Sequence, residues 1–199
     1  MPYSNFTLEG VETQFSLSEI ITPLFTEVTS VMPSQWLIDS LEVSRLVIPK
    51  SEKARSELII SPILVEILKR NDYKFSLFSG ENMNVDVELN LMGECDFILS
   101  KVPKSFRIKA PIFALVEAKQ NIIENSVGQC VAQMVGARIY NERKGEPLET
   151  IFGCVTNGDE WLFLKLENNL IQISNERIYI NELPKLLGIL QGIVSTFLK

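Results

Sequence analysis

The sequence predicts an α/β (α+β) fold in which a mixed central β-sheet is flanked by helices. Two observations carry the prediction. A helical stretch near residue 52 gives way to several short apolar segments of strand length, and a second helical stretch near residue 126 is followed by further strands. The chain has 199 residues, 46% hydrophobic and 22% charged, the size of one domain with a single sizeable core. The organisation read from it is a helical N-terminal extension over residues 1–48, a core over 49–170, and a C-terminal strand and helix over 171–199.

The elements follow in order. Ser16 or Ser18 can open a short helix through LSEIITPLFTEV, and Pro33-Ser34 precede a second helix, QWLIDSLEVSRLV. Pro49 precedes and Ser51 opens SEKARSELIISPILVEILKRN, where Leu58, Ile59, Ile63, Leu64, Ile67 and Leu68 recur at helical spacing and Pro62 should introduce a kink. From Tyr73 the pattern turns to strand: YKFSLFSG, then NMNVDVEL, with Ser79-Gly80-Glu81-Asn82 as turn chemistry between them. GECDFILSK and IFALVEAK are apolar strands ending in charge. Asn125-Ser126 can cap a helix that stops at Gly145. TIFGCVTNG and EWLFLKLE read as strands joined by Asn157-Gly158-Asp159. LIQIS is a smaller strand, and NELPKLLGILQGIVSTFLK an amphipathic closing helix.

Composition removes whole classes of chemistry. There is no histidine, so imidazole acid/base catalysis, Ser-His-Asp and Cys-His nucleophiles and HExxH zinc sites are excluded. Carboxylates, lysine, thiols or a hard metal must do any work. Cys95, Cys130 and Cys154 are too few and too widely spaced for a secreted disulfide framework or paired zinc ligands, and Cys95 and Cys130 read as small core residues. No apolar run is long enough to span a bilayer and the N-terminus resembles no signal peptide, so a cytoplasmic protein without membrane contact is expected. The net charge of −6 opposes non-specific coating of nucleic acid, so any such contact must be local.

One constellation carries chemistry. Alternate side chains of a strand share a face, so Glu117 and Lys119 in Val116-Glu117-Ala118-Lys119 project to the same side, roughly 6–7 Å apart along the chain. The apolar run Ile112–Val116 suits a central strand, where a charged pair is costly unless paired or bound to an ion. Asp96 sits similarly in GECDFIL. If the two strands are neighbours, two carboxylates converge as hard oxygen ligands for Mg²⁺ or Mn²⁺, with water and a substrate phosphate completing the shell.

The segment Gly93-Glu94-Cys95-Asp96-Phe97-Ile98-Leu99, followed after 20 intervening residues by Val116-Glu117-Ala118-Lys119, resembles the D…ExK motif of the PD-(D/E)xK restriction-endonuclease-like superfamily. Cys95 stands where that motif has proline. The resemblance implies an αβββαβ core in which Asp96 and Glu117 bind the metal, the Ala118 carbonyl joins them, and Lys119 assists the nucleophilic water. It also implies a glutamate from the first core helix, with Glu57 as first choice and Glu52 and Glu66 as competitors. A glutamine from the helix after the ExK strand would be Gln129 or Gln133, which share one helical face. Val155-Thr156-Asn157-Gly158 with Trp161 resembles a segment in the nuclease-like domain of type I restriction motor subunits. Roughly residues 52–165 resemble a set of mostly cyanobacterial single-domain proteins of this fold.

The function expected is a Mg²⁺-dependent nuclease that hydrolyses DNA, in preference to RNA, through an activated water. The alternative is a nuclease-fold module that binds nucleic acid or a protein without cutting. The basic run Lys101, Lys104, Arg107 and Lys109, between the motif strands, could touch a phosphate backbone near the site, or be a solvated loop. An exposed apolar stripe on the closing helix would suit a homodimer contact.

Overall fold

A computed structural model describes residues 2–120 and 122–198. After a short 3₁₀ turn (Tyr3–Asn5), helix α1 (Leu8–Phe15) starts where the Thr7 hydroxyl accepts the Gly10 N–H, and it ends at Ser16 in the left-handed region. Ser16 therefore closes a helix, where the sequence suggested that it opens one. The next residues form strand β1 (Ser18–Thr22), which lies parallel to a strand from the far end of the chain. Ile20-Ile21-Thr22 is a β-branched run that favours the pleated conformation once a partner is available.

Helix α2 (Gln35–Val47) is capped by Ser34 and α3 (Glu52–Arg55) by Ser51. A π-helical turn (Ser56–Ile60) then leads into α4 (Ser61–Arg70). Pro62 has no N–H and its ring crowds the preceding turn. The chain accommodates it with the wider π turn, the Ser61 N–H reaching back to the Ser56 carbonyl, so that Pro62 falls in the first turn of α4.

Three antiparallel strands follow, β2 (Ser76–Asn82), β3 (Glu94–Ser100) and β4 (Ile112–Ala118), then helix α5 (Val127–Arg143) and strand β5 (Thr150–Thr156) parallel to β4. Ser79-Gly80-Glu81-Asn82, expected as a turn, is the second half of β2, and the chain reverses later, around the Asp86–Leu91 bridge. Pairing with β3 outweighs the local turn propensity. β6 (Glu160–Glu167), β7 (Leu170–Ser174) and the short β8 (Ile178–Tyr179) lead to α6 (Leu183–Phe197). Among the described residues the eight strands form one mixed sheet in the order β1-β7-β6-β5-β4-β3-β2, with β8 also on β6.

The sheet is covered on both faces, as a central strand buried at every position requires; β4 is such a strand. One core joins α2, α4 and α6 through Leu37, Ile63, Ile67, Leu187, Leu190 and Phe197 to Phe113, Phe152 and Trp161 of the sheet. The other joins Tyr3, Val11 and the α5 residues Cys130, Val131 and Met134 to Leu115, Val155 and Leu164. Every apolar residue of α6 from Leu186 to Phe197 is buried, so the exposed stripe considered for a dimer contact is not on this helix. All three cysteines are free and buried. No helix among the described residues is long and apolar enough to cross a membrane.

Candidate active site

The sequence-predicted residues gather where β3 begins and β4 ends. Phe97 pairs with Val116, which sets Asp96 opposite Glu117 at the edge of the ladder. There the strands part, and the Ala118 N–H donates to Asp96 Oδ2 at 2.8 Å instead of to a backbone carbonyl. On its other side β4 keeps its partner: Ala118 is in register with Thr156, and the Lys119 N–H donates to the Thr156 carbonyl at 2.8 Å. On β2, Ser79 pairs with Phe97 and Glu81 with Cys95, so Gly80 faces Asp96 at the one interrupted position. Its φ of 65° lies in the region that glycine alone enters without penalty.

Glu117 is 2% exposed, and both its oxygens are engaged. Lys119 Nζ lies 2.7 Å from Oε1, Gln129 Nε2 donates to Oε1 at 2.5 Å, and Gln133 Nε2 donates to Oε2 at 2.7 Å. The two glutamines stand one turn apart on α5, which packs over β4 and β5. Burial and then the charge of Asp96 push the Glu117 carboxyl up to about 7, against the pull of Lys119 and Gln133. Burial disfavours the Lys119 ammonium, but Glu117, Glu52 and Asp96 outweigh it and hold its pKa above the ordinary lysine value. Among the described residues Gln133 Oε1 is buried without a hydrogen-bond partner.

Asp96 opens onto a cleft of about 380 Å³ between the helix containing the π turn and the β2–β3 edge, lined by Glu52, Lys53, Ser56, Glu57, Ser79, Gly80, Glu94 and Asp96. Four carboxylates against one lysine make it acidic. Glu57 sits on its wall, its side chain 63% exposed and 3.8 Å from Lys53. Glu66 lies elsewhere, buried and held by Ser34 and Arg70. Glu52 is the helix carboxylate whose charge bears on Lys119, and Gln120, donating to the Lys50 carbonyl at 2.9 Å, ties the end of β4 to the start of α3.

The Thr-Asn-Gly segment is a hairpin turn that braces this end of the sheet. Asn157 Oδ1 accepts the Asp159 and Glu160 N–H groups, Thr156 Oγ1 donates to the Glu160 carbonyl, and the buried Trp161 indole donates to the Gly158 carbonyl. Arg55 reaches across from α3 to the Asn157 carbonyl and the Asp159 carboxylate. The basic run lies elsewhere. It joins the end of β3 to the start of β4, whereas Asp96 and Glu117 stand at the opposite ends of those strands.

Among the described residues no three Cys, Asp or Glu side chains converge closely enough to hold a metal ion by themselves. The donors among these residues that suit a hard divalent cation are the Asp96 and Glu117 carboxylates, with water for the rest. That set fits Mg²⁺, which keeps several waters and takes only one or two carboxylates. Asp96 raises the proton affinity of Glu117, a repulsion that a cation between them would relieve. No profile of a known protein family matches the chain, and no curated protein matches it.

Proposed function

We propose that the chain is a divalent-metal-dependent phosphodiesterase of the PD-(D/E)xK kind, acting on nucleic acid and on DNA before RNA. One observation carries the reading: a carboxylate buried at the end of a central strand, Glu117, is gripped by Lys119, Gln129 and Gln133 while a second carboxylate, Asp96, stands across from it. Burying that charge is costly, and packing alone gives no reason for it. The succession of helix, three antiparallel strands, helix and a strand parallel to β4 agrees with the αβββαβ order that the motif resemblance implies.

In this reading Asp96 and Glu117, with the Ala118 carbonyl, would hold Mg²⁺ or Mn²⁺, which supplies polarisation of the scissile phosphate and a lowered pKa for water. Gln129 and Gln133 hold the Glu117 carboxylate in one orientation. Asp96 is fixed by the Ala118 N–H. Lys119, on the solvent side of Glu117, orients the attacking water and offsets charge growing on the phosphate oxygens. Glu57, on the cleft wall, would act on a bound ion through water.

The test is cleavage of single- and double-stranded DNA and RNA by the purified chain with Mn²⁺ or Mg²⁺. Activity that Asp96→Ala and Lys119→Ala abolish, with folding retained, supports the reading; its absence on every substrate overturns it. A non-cleaving nuclease-fold module is the second reading. It is favoured by the full engagement of both Glu117 oxygens and by the acidity of the cleft, which repels a phosphate backbone unless cations are bound.

A further inference from the structure

We infer that the β3–β4 loop is a second, separate contact surface, one that binds single-stranded nucleic acid at the opposite end of the sheet from Asp96 and Glu117. It goes beyond the phosphodiesterase reading and stands without it. The loop carries Lys101, Lys104, Arg107 and Lys109, and no acidic residue occurs between Asp96 and Glu117, in a chain whose net charge is −6. All four cations are exposed. None joins an ion pair among the described residues, although the chain holds an excess of carboxylates. Among them stands Phe106, its ring completely exposed. An apolar ring placed fully in water within a cationic loop contributes nothing to the core.

The loop is a shaped surface, because its backbone is pinned. The Ser76 hydroxyl donates to the Val102 carbonyl and accepts the Ser105 N–H, Ser100 Oγ donates to the Lys109 carbonyl, and Tyr140 donates to the Ile108 carbonyl. Pinning the backbone while leaving the cations and the ring free lowers the ordering cost of binding. Tyr73, also exposed, lies three residues before Ser76 and offers a second aromatic face on the neighbouring segment. Cations that meet phosphates and aromatic rings on which bases stack are the two parts of a single-strand platform. An anionic bilayer would meet the same cations, but a plane also brings in the flanking segments, where Asp72, Glu146 and Glu149 are exposed. A single apolar side chain is a weak membrane anchor. A thin, flexible polyanion can follow the loop and avoid those carboxylates.

The experiment is fluorescence anisotropy of a labelled mixed-sequence single strand of about 20 nucleotides, at low salt and in EDTA so that no metal-dependent step intervenes. Wild-type protein should bind, Phe106→Ala should bind about 5- to 100-fold more weakly, and Phe106→Trp should retain binding with its fluorescence quenched by the bases. Lys104→Ala with Arg107→Ala should flatten the dependence of log affinity on log salt, by about 0.7 in slope for each phosphate that the loop no longer neutralises. Because these side chains are exposed, unchanged thermal unfolding will show that the variants fold. No binding by the wild type, equal binding by Phe106→Ala, or capture by phosphatidylserine vesicles in place of the oligonucleotide would each overturn the inference. Binding is read in EDTA and on variants of the loop alone, so a failure of cleavage leaves this result readable on its own.

Discussion

Gln133 donates from Nε2 to Glu117 Oε2 at 2.7 Å, and neither side chain is open to water. The bond is asymmetric in its consequences, because Gln133 Oε1 has no partner among the described residues while the carboxylate depends on the donor. Gln133→Leu removes the orphaned acceptor together with the donor. The carboxylate loses more than the amide gains, so unfolding free energy at neutral pH should fall by about 1–3 kcal/mol. The Glu117 carboxyl, already pushed up to about 7 by burial and by Asp96, should titrate higher still. Chemical denaturation measures the first effect and ¹³C NMR of the Glu117 carboxyl carbon the second. An unchanged titration would mean that Gln133 does not hold the carboxylate in solution.

Metal affinity should divide the acidic residues by their place. Mn²⁺ should raise the unfolding temperature of the wild type, because a ligand that binds only the folded state stabilises it by mass action. Asp96→Asn should abolish the rise. Glu57→Gln should weaken it by about 10- to 100-fold in affinity without abolishing it, as expected of a group acting through water on a site it does not complete. Isothermal titration of the three proteins with MnCl₂ checks the order, and equal losses in both variants would place Glu57 on the ion itself.

Glu66 predicts an acid dependence of stability unconnected with the site. Burial raises its pKa, but the Ser34 hydroxyl at 2.7 Å, the Ser34 N–H at 3.0 Å and the Arg70 guanidinium at 2.9 Å outweigh that, and the carboxyl stays below its ordinary value. A depressed native pKa means that the unfolded chain takes up the proton first. The stabilisation is complete above the ordinary carboxylate pKa and is lost as pH falls through the native one. Glu66→Gln should cost about 2–3 kcal/mol at pH near 7, with the difference from wild type shrinking in acid. Urea unfolding across that range reads it directly.

The parts of this architecture legible from the sequence are those set by local period. Strand alternation is enough to put Glu117 and Lys119 on one side, and helical spacing to put Gln129 and Gln133 on one face; the structure joins all four in one hydrogen-bonded group. What local pattern misses is pairing between distant segments. Ser18–Thr22 looks like part of a helix until Leu170–Ser174 comes alongside it, and Ser79–Asn82 looks like a turn until β3 pairs with it. Gly80 carries no motif, and its role is visible only once the ladder sets it across from Asp96. The basic run looks close to the site because it lies between the motif strands in sequence. In an antiparallel pair, the connecting loop sits at the end away from residues that open one strand and close the other.

Packing of α5 gives the last prediction, and a pair of glycines makes it a controlled one. A Cβ on Gly128 would fall 2.4 Å from the Thr7 carbonyl carbon and 2.6 Å from the Phe6 oxygen. Both are backbone atoms that cannot rotate away, so α5 and the segment before α1 must separate. Gly128→Ala should therefore destabilise by about 1–3 kcal/mol despite alanine's better helix propensity. Because Gln129 and Gln133 ride on the same helix, the shift should also loosen their hold on Glu117. Gly192 of α6 has open space where its Cβ would be, so Gly192→Ala should gain roughly 0.5–1 kcal/mol from propensity alone. Thermal or urea unfolding of the two variants should give opposite signs. If Gly128→Ala is also stabilising, the N-terminal segment does not sit against α5 in solution, and the burial of Tyr3 against that helix fails with it.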